Sequence, residues 1–161
     1  MTITRERLKE LLNYDDDTGI FTWTSNTLRP DRIGKRAGSL HAGYVRIRLD
    51  RKAYLAHRLA WLLTYKKWPS QEIDHIDGNR ANNIVSNLRD VSKYVNQQNL
   101  LESKKSRKST GFLGTSRSGP NFMARIRIDK KETYLGSFKT AQLAHEAYLQ
   151  AKRIFHPGNT L

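Results

Sequence analysis

The sequence predicts an α+β fold divided into two small modules, and three observations support it. The 161 residues are enough for one medium domain or two small ones. Short runs with strand periodicity alternate with amphipathic helical runs along the chain. A stretch rich in lysine, arginine and serine then interrupts this pattern at residues 103–110. We therefore expect a first domain at residues 1–102, a basic linker at 103–110 and a second domain at 111–161.

The predicted N-terminal domain begins with a helix. Thr4 can cap this helix, which we expect to run to about Asn13. Its apolar stripe is formed by Leu8, Leu11 and Leu12. Residues 15–19 include three consecutive aspartates, which could suggest a metal cluster. A turn before a strand at residues 20–24 explains them more simply.

The next part of this domain is predicted to contain a loop, a strand and a helix. Residues 25–43 are polar, with basic residues among prolines and glycines, so we expect a solvated loop or an arm that contacts phosphate. Residues 45–49 alternate apolar and basic side chains, the period of a strand with one buried and one basic face. A helix is expected at residues 56–64, with His57 packed at its start and Pro69 ending it.

The predicted C-terminal domain is a small sheet with one helix packed on it. Residues 122–128 and 133–138 have strand composition and flank a turn, which predicts a hairpin. Thr140 can cap a final helix. Four apolar side chains at helical spacing are expected to share one face of that helix: Leu143, Ala147, Ala151 and Ile154.

The chain is strongly basic, with 29 Lys and Arg residues against 15 Asp and Glu and a formal charge of +14. Such a field attracts polyanions and favours nucleic acid over a membrane surface, although charge alone does not decide between them. The absence of cysteine excludes disulfides, thiol chemistry and Cys-based zinc sites. No apolar run reaches the ~18 residues of a membrane span, and the N-terminus lacks the apolar core of a signal peptide. We therefore expect no membrane association and a protein that works in a reducing cytoplasm.

Residues 72–90 form a locally acidic segment, in which four carboxylates oppose two arginines. A carboxylate excess inside a phosphate-attracting surface suggests a bound cation. A run of Asp, Gly and Asn beginning at Asp77 resembles part of a calcium loop. Counted from Asp77, however, Asn82 stands where that loop needs glycine and Leu88 where it needs glutamate. The calcium-loop interpretation therefore fails.

Several pieces of this segment, taken in order, resemble the HNH endonucleases, and most closely the bacteriophage homing-type members. The pieces are Asp74-His75, an Asp-Gly-Asn turn, Asn87 before Leu88-Arg89, and Asn96. The resemblance spans roughly residues 43–101. It implies a ββα-metal unit, in which a two-stranded hairpin and a helix surround one divalent ion. His75 would lie on or just after the first strand, Asn87 on the connection into the second, and Asn96 on the helix.

The resemblance also implies a role for each of these residues in phosphodiester hydrolysis. His75 would take the proton of the attacking water, and Asn87 would orient this base and hold the loop. Asp74 and Asn96 would be the metal ligands, and such oxygen ligands suit magnesium or manganese. Asn99 would share a helix face with Asn96, so it is an alternative ligand.

Positive charge is densest in residues 103–131, where nine basic residues oppose one aspartate. The linker contributes four candidate DNA contacts: Lys104, Lys105, Arg107 and Lys108. Arg125 and Arg127 alternate with isoleucines, so one strand face is cationic while the other packs inward. Such a sheet can enter the major groove, although a merely solvated face is the alternative.

Residues 111–157 resemble the Apetala or ethylene-response-factor type of DNA-binding domain. The resemblance rests on Gly114 and on the runs at residues 122–126, 134–138 and 144–148. It implies a three-stranded antiparallel sheet that binds the major groove and packs on one helix. The implied contacts are Arg117, Arg125, Arg127 and Tyr134. Plant members carry Trp where Tyr134 stands, so their site preference does not transfer.

Together, the charge and the two resemblances predict a metal-dependent endonuclease that nicks or cuts both strands of double-stranded DNA. It would leave 5′ phosphate and 3′ hydroxyl ends and act as a monomer or a homodimer. The resemblance to free-standing phage homing enzymes implies the host-cell cytoplasm. The alternative is a catalytically inactive, sequence-specific DNA-binding regulator. An RNA-binding or membrane-surface protein would explain the charge but not the HNH pattern.

Overall fold

A computed structural model describes residues 2–24, 29–98 and 110–156. The chain forms two compact units, Met1–Lys93 and Tyr94–Leu161. Both contain helices and small antiparallel sheets, so the predicted α+β class is confirmed. Almost all of the predicted linker lies outside the described residues, and the predicted domain boundary stays a prediction. No helix in the described ranges is both long and apolar enough to span a bilayer.

The first unit opens with helix α1 (Arg5–Leu11), which is capped as predicted, since Arg7 N donates to Thr4 Oγ1 at 3.1 Å. The predicted end at Asn13 is wrong. Leu12 begins strand β1 (Leu12–Asp15), which pairs antiparallel with β2 (Ile20–Trp23). A buried leucine at this position fits a helix stripe and a strand equally well, so the pattern alone could not locate the boundary.

The turn between β1 and β2 is confirmed, and it has a plain explanation in its first aspartate. The Asp15 carboxylate accepts hydrogen bonds from the backbone N–H groups of Asp17 and Thr18, at 2.9 and 3.1 Å. These bonds replace the ladder bonds that the chain gives up as it reverses. The aspartate run is therefore a turn, as the simpler interpretation held.

A three-stranded antiparallel sheet follows, in the order β3 (Ser39–His41), β4 (Tyr44–Leu49), β5 (Lys52–Leu55). As predicted, β4 buries Val45, Ile47 and Leu49 and exposes the arginines between them. The expectation of a loop at residues 25–43 is wrong where β3 and a short 3₁₀ helix (Pro30–Arg32) occur. β3 is short and fully exposed, so it lacks the alternation that would have identified it.

Helix α2 (Ala56–Tyr65) then leads to the hairpin of β6 (Glu72–His75) and β7 (Leu88–Val91), and helix α3 (Lys93–Gln98) follows β7. α2 ends at Lys66, whose φ of 60° is left-handed. The helix predicted at residues 56–64 is therefore confirmed, but the expectation that Pro69 ends it is wrong. The core of this unit collects α1, β2, β4 and α2, with Leu8, Phe21, Ile47 and Leu59 almost fully buried.

The second unit contains an antiparallel sheet in the order β10 (Lys131–Phe138), β9 (Asn121–Ile128), β8 (Thr115–Ser118). Helix α4 (Ala141–Phe155) packs on it and is capped by Thr140, as predicted. The hairpin of β9 and β10 is also confirmed.

The inner face of α4 was predicted partly wrongly. Ala144 and Ala151 are buried, whereas Leu143 and Ile154 are exposed. The sheet approaches α4 so closely that small residues are needed there: a Cβ on Gly114 would lie 1.9 Å from the Tyr148 ring. Close approach selects alanine over leucine on the packed face.

Candidate active site

Asp74 and His75 are the last two residues of β6, and both side chains are buried, at 5% and 4% exposure. Adjacent residues on a regular strand point to opposite faces, so the two can serve one site only where the strand ends. β6 ends at His75, where the backbone turns and Gly78 N donates to His75 O at 2.9 Å. Asp74 and His75 therefore stand where the strand ends, so both side chains can serve one site.

Asp77 organises the loop that joins β6 to β7. Its carboxylate accepts from Asn79 N at 2.8 Å, from Asn82 Nδ2 at 2.7 Å and from Asn87 Nδ2 at 2.9 Å. Burial works to raise the pKa of Asp77, but the hydrogen bonds from Asn82 and Asn87 outweigh it and leave the pKa below its ordinary value. Asp77 is therefore an anion that fixes the loop, a role its motif position did not indicate.

Asn87 lies at the end of a 3₁₀ turn directly before β7 and holds both ends of the loop. Its Oδ1 accepts from Asp77 N at 3.0 Å while its Nδ2 donates back to Asp77. Its backbone carbonyl also accepts from Ile76 N at 2.8 Å. These bonds fit the loop-holding part of its predicted role.

Asn83 is a buried polar residue whose side chain hydrogen-bonds to His75, and the β1–β2 hairpin fixes its backbone. Tyr14 Oη donates to Asn83 O at 2.8 Å, and burial raises the pKa of Tyr14 to about 12, which keeps this donor protonated. Gly19 packs so tightly on the same segment that a Cβ there would lie 2.6 Å from Asn83 C and 2.4 Å from Ile84 N. The β1–β2 hairpin with its aspartate-rich turn therefore packs against the backbone of residues 83–84 and limits its movement.

Two aromatic rings border His75. His57 on α2 meets it edge to face with ring centroids 5.0 Å apart, and Tyr44 on β4 lies 6.0 Å from it. His57 is buried, which confirms the expected packing, but its partner is the candidate catalytic histidine. Neither contact could be predicted from spacing, because the three rings come from β4, α2 and β6.

Burial lowers the pKa values of both histidines. The pKa of His57 falls to about 3, chiefly through burial and also through the neighbouring His75. Burial lowers the pKa of His75 as well, although the Asn83 side chain and the charges of Asp77 and Asp74 act in the opposite direction. Both imidazoles are therefore neutral near pH 7, the form in which a histidine can accept a proton.

Asp74 forms a buried ion pair with Arg89, the residue directly opposite it on β7. Arg89 Nε and Nη2 lie 2.8 and 2.6 Å from Asp74 Oδ2. A buried carboxylate needs such a partner to stay charged. Both bonds end on the same carboxylate oxygen, Oδ2.

The oxygen donors of this site fit a magnesium-type ion better than a metal that needs a cluster of charged ligands. No cluster of three or more His, Cys, Asp and Glu side chains suited to a metal occurs in the described parts of the chain. Asp74 provides a fixed anionic oxygen, and a magnesium-type ion needs only one or two protein carboxylates because it retains several waters. Asn96 lies half-buried on α3, in the part of the chain assigned to the second unit, while Asp74, His75 and Asn87 belong to the first. Asn99 lies outside the described residues.

Residues 54–98 match a family model described as HNH endonuclease, a little over a quarter of the chain. The match runs from β5 to α3 and includes Asp74, His75, Asn87 and Asn96. It supports an HNH nuclease, a class that generally cleaves DNA with the help of a divalent metal ion. No curated protein and no solved structure matches the chain.

The predicted DNA contacts of the second unit divide between the two faces of its sheet. Arg125 and Arg127 are exposed on the face turned away from Ala124 and Ile126, and Tyr134 stands directly opposite Arg125. Arg117 pairs instead with Phe122, with its guanidinium 5.5 Å from that ring, on the face that carries α4. The four linker residues lie outside the described residues: Lys104, Lys105, Arg107 and Lys108.

Proposed function

We propose that this protein is a metal-dependent DNA endonuclease in which His75 is the general base. The observation that carries the proposal is a buried, neutral histidine at the end of β6, inside a region that matches the HNH endonuclease model. His75 would accept the proton of a water that attacks phosphorus in line with the 3′ oxygen. The products would be 5′ phosphate and 3′ hydroxyl ends.

Asp74 and Asn96 would hold the metal, with magnesium or manganese the best fit to an anionic and a neutral oxygen. Such an ion neutralises charge on the phosphate and on the leaving oxygen when it is bound. Arg89 supports this role, because its two bonds hold the Asp74 carboxylate in one orientation. Asn87 and Asp77 would keep the loop in the conformation that the reaction needs. The unit of β6, β7 and α3 would then be the ββα-metal unit.

The second unit would bind double-stranded DNA through the outer face of its sheet, as in the Apetala-type domains it resembles. The supporting observation is the exposed row formed by Arg125, Arg127 and Tyr134. An exposed arginine can grip phosphate or read guanine in the major groove. A nuclease that carries its own duplex anchor fits a free-standing phage homing enzyme in the host cytoplasm, acting as a monomer or homodimer.

Incubation of the protein with supercoiled plasmid and magnesium tests the proposal. The wild type should produce nicked or linear DNA, and EDTA should abolish this. The His75→Ala variant should cleave about 10²–10⁴-fold more slowly, the typical contribution of a general base. Circular dichroism and a binding assay would show that the variant is folded and still binds DNA. If the wild type binds the plasmid but leaves it intact with magnesium and with manganese, the protein is the inactive regulator instead.

A further inference from the structure

Arg80, in the loop between β6 and β7, lies against the ring of Tyr44. Its guanidinium carbon is 5.0 Å from the ring centroid, the geometry of a cation–π contact. Its stem passes Gly43, where a Cβ would lie 3.5 Å from Arg80 Cδ. Arg80 therefore lies on the Tyr44 ring and beside Gly43, although it is exposed.

None of the ion pairs formed among the described residues includes Arg80, whereas Arg89 in the same hairpin is paired with Asp74. A neutral ring orients a guanidinium without occupying its N–H donors. Arg80 is exposed, so an anion in solution can reach these donors.

Tyr44 connects this cation to the candidate base. Its ring is 6.0 Å from that of His75 and 5.4 Å from that of His57. Burial is the main cause that lowers the pKa of His75, and the charge of Arg80 acts in the same direction, which places the two within electrostatic reach. The Arg80 guanidinium and the His75 ring therefore both lie next to the Tyr44 ring.

We propose that Arg80 binds the scissile phosphate of the DNA beside His75, and that Tyr44 is its positioning residue. The inference rests on the proposed endonuclease function. A phosphoryl group gains charge on its non-bridging oxygens during hydrolysis, and a fixed guanidinium can donate two parallel hydrogen bonds to them. Arg80 therefore supplies positive charge from the protein itself, in addition to any metal at Asp74.

The outer face of β4 extends this phosphate site. Tyr44, Arg46 and Arg48 alternate with buried residues and so share one face, with neighbours about 6.6 Å apart along the strand. Both arginines are exposed, and neither forms an ion pair within the described residues. They would contact phosphates next to the scissile one, so that the cleaved strand follows β4.

Single-turnover nicking of supercoiled plasmid by saturating protein tests the role of Arg80. Arg80→Ala should lower the rate about 10²-fold, the cost of removing one preorganised donor to a developing oxyanion. Arg80→Lys should recover only part of it, because an ammonium cannot make the paired bonds. Lys67→Ala is the matched control: it also removes one exposed positive charge, beyond the far end of α2, and should stay within about twofold of wild type. An Arg80→Ala rate within about twofold of wild type would overturn the proposal.

Two Tyr44 variants separate positioning from packing. Tyr44→Phe keeps the ring and should keep most of the Arg80 effect, whereas Tyr44→Leu keeps apolar bulk and should lose most of it. In an Arg80→Ala background Tyr44→Leu should add little, because the residue it positions is gone. Equal losses from Tyr44→Leu with and without Arg80 would show that Tyr44 does not act through Arg80.

Salt-dependent DNA binding in EDTA keeps this test separate from that of the proposed function. If the wild type cleaves no DNA, the endonuclease proposal fails. The salt dependence of DNA binding then shows by itself whether Arg80 contacts a phosphate. Loss of one phosphate contact should reduce the slope of log K against log salt by about 0.9 in Arg80→Ala. In that case an Arg80→Ala slope equal to those of wild type and Lys67→Ala would overturn the contact as well.

Discussion

The loop around His75 and the outer face of the second unit's sheet are both polar, but they are built in opposite ways. In the loop, Asp77, Asn82 and Asn87 bond to one another and to backbone groups at 2.7–3.1 Å. On the sheet, Arg125 makes one exposed ion pair with Glu132 at 3.0 Å, and exposed pairs contribute little stability. The polar groups of the loop are therefore used in hydrogen bonds within the loop, whereas those on the outer sheet face are exposed to solvent.

This difference separates two kinds of function. Catalysis needs groups fixed before the substrate arrives, so the loop is held by hydrogen bonds and by the β1–β2 hairpin. Binding to a charged duplex needs only a dense positive face, because phosphate contacts are largely electrostatic. Changes in the loop should therefore alter stability and rate together, whereas changes on the sheet should alter binding alone.

Gly19→Ala should lower the free energy of unfolding more than any other change proposed here. A small loss would contradict the view that the loop around His75 depends on rigid support. The new Cβ would lie 2.4 Å from Ile84 N, a backbone atom that cannot move aside cheaply, and φ is +67°. We expect the first unit to lose about 3–5 kcal/mol in urea unfolding, from left-handed strain plus overpacking. Gly34→Ala is the matched control, with φ of +73° and nothing within 4 Å, and should cost only about 1–2 kcal/mol. Equal losses would show that strain, and not support of the loop, decides the effect.

The elements that the sequence predicted are those whose pattern is local. The apolar alternation of β4, the leucine spacing of α2 and the threonine caps of α1 and α4 each lie within a few residues. β5 was missed because its four residues show no clean alternation of burial. The order of Asp74, His75 and Asn87 is equally local. The structure places Asp74 and His75 at the end of β6 and Asn87 on the connection into β7, as expected.

The surroundings of His75 could not be predicted in this way. Tyr14 reaches Asn83 across 69 positions in the chain, and His57 and Tyr44 come from other elements. Such contacts arise only after the elements pack, so no spacing rule reports them. Arg80 is local to the motif, but its importance follows from Tyr44, which precedes the matched region.

Asn87→Ala should have the second largest effect. The change removes three side-chain hydrogen bonds, two exposed ones with Asp77 and a part-buried one to Asn82 O, which at roughly 1 kcal/mol each costs about 2–3 kcal/mol. Cleavage should fall about 10–100-fold, the usual loss when a supporting residue is removed. Asn79→Ala removes a single side-chain bond at 3.1 Å and should cost about 1 kcal/mol with little change in rate. Equal losses of stability and of cleavage rate in the two variants would show that Asn87 is no more important to the loop than Asn79.

Asp90 should make the first unit sensitive to acid. Burial works to raise its pKa, but hydrogen bonds from Ser70 and Gln71 prevail and leave the pKa below 3.8. A depressed folded pKa gives stability that is complete above the unfolded value of about 3.9 and is lost as pH falls through the folded value. Asp90→Asn should therefore lower the melting temperature at pH 6 by the equivalent of about 1 kcal/mol, after allowance for solvent screening, and the difference from wild type should shrink toward pH 3. Asp17→Asn, in the exposed turn before β2, is the control and should leave the melting temperature at pH 6 within the equivalent of about 0.5 kcal/mol of wild type. A difference between Asp90→Asn and wild type that is the same at both pH values would exclude Asp90 as the titrating group.

Removal of both arginines from the outer sheet face should change stability least. Arg125→Ala with Arg127→Ala deletes only exposed groups, so unfolding should stay within about 0.5 kcal/mol of wild type. The slope of log K against log salt for duplex DNA should nevertheless fall by up to about 1.8, which is 0.9 for each phosphate contact.

The control for this prediction is the double variant Arg117→Ala with Lys131→Ala, which removes the same charge from the same sheet. These two residues pair with Phe122 and Ile128 on the opposite face. That variant should keep most of the wild-type slope, because the face that carries α4 cannot lie in a groove at the same time as the outer face. If both double variants lower the slope equally, the sheet attracts DNA through net charge and has no binding face.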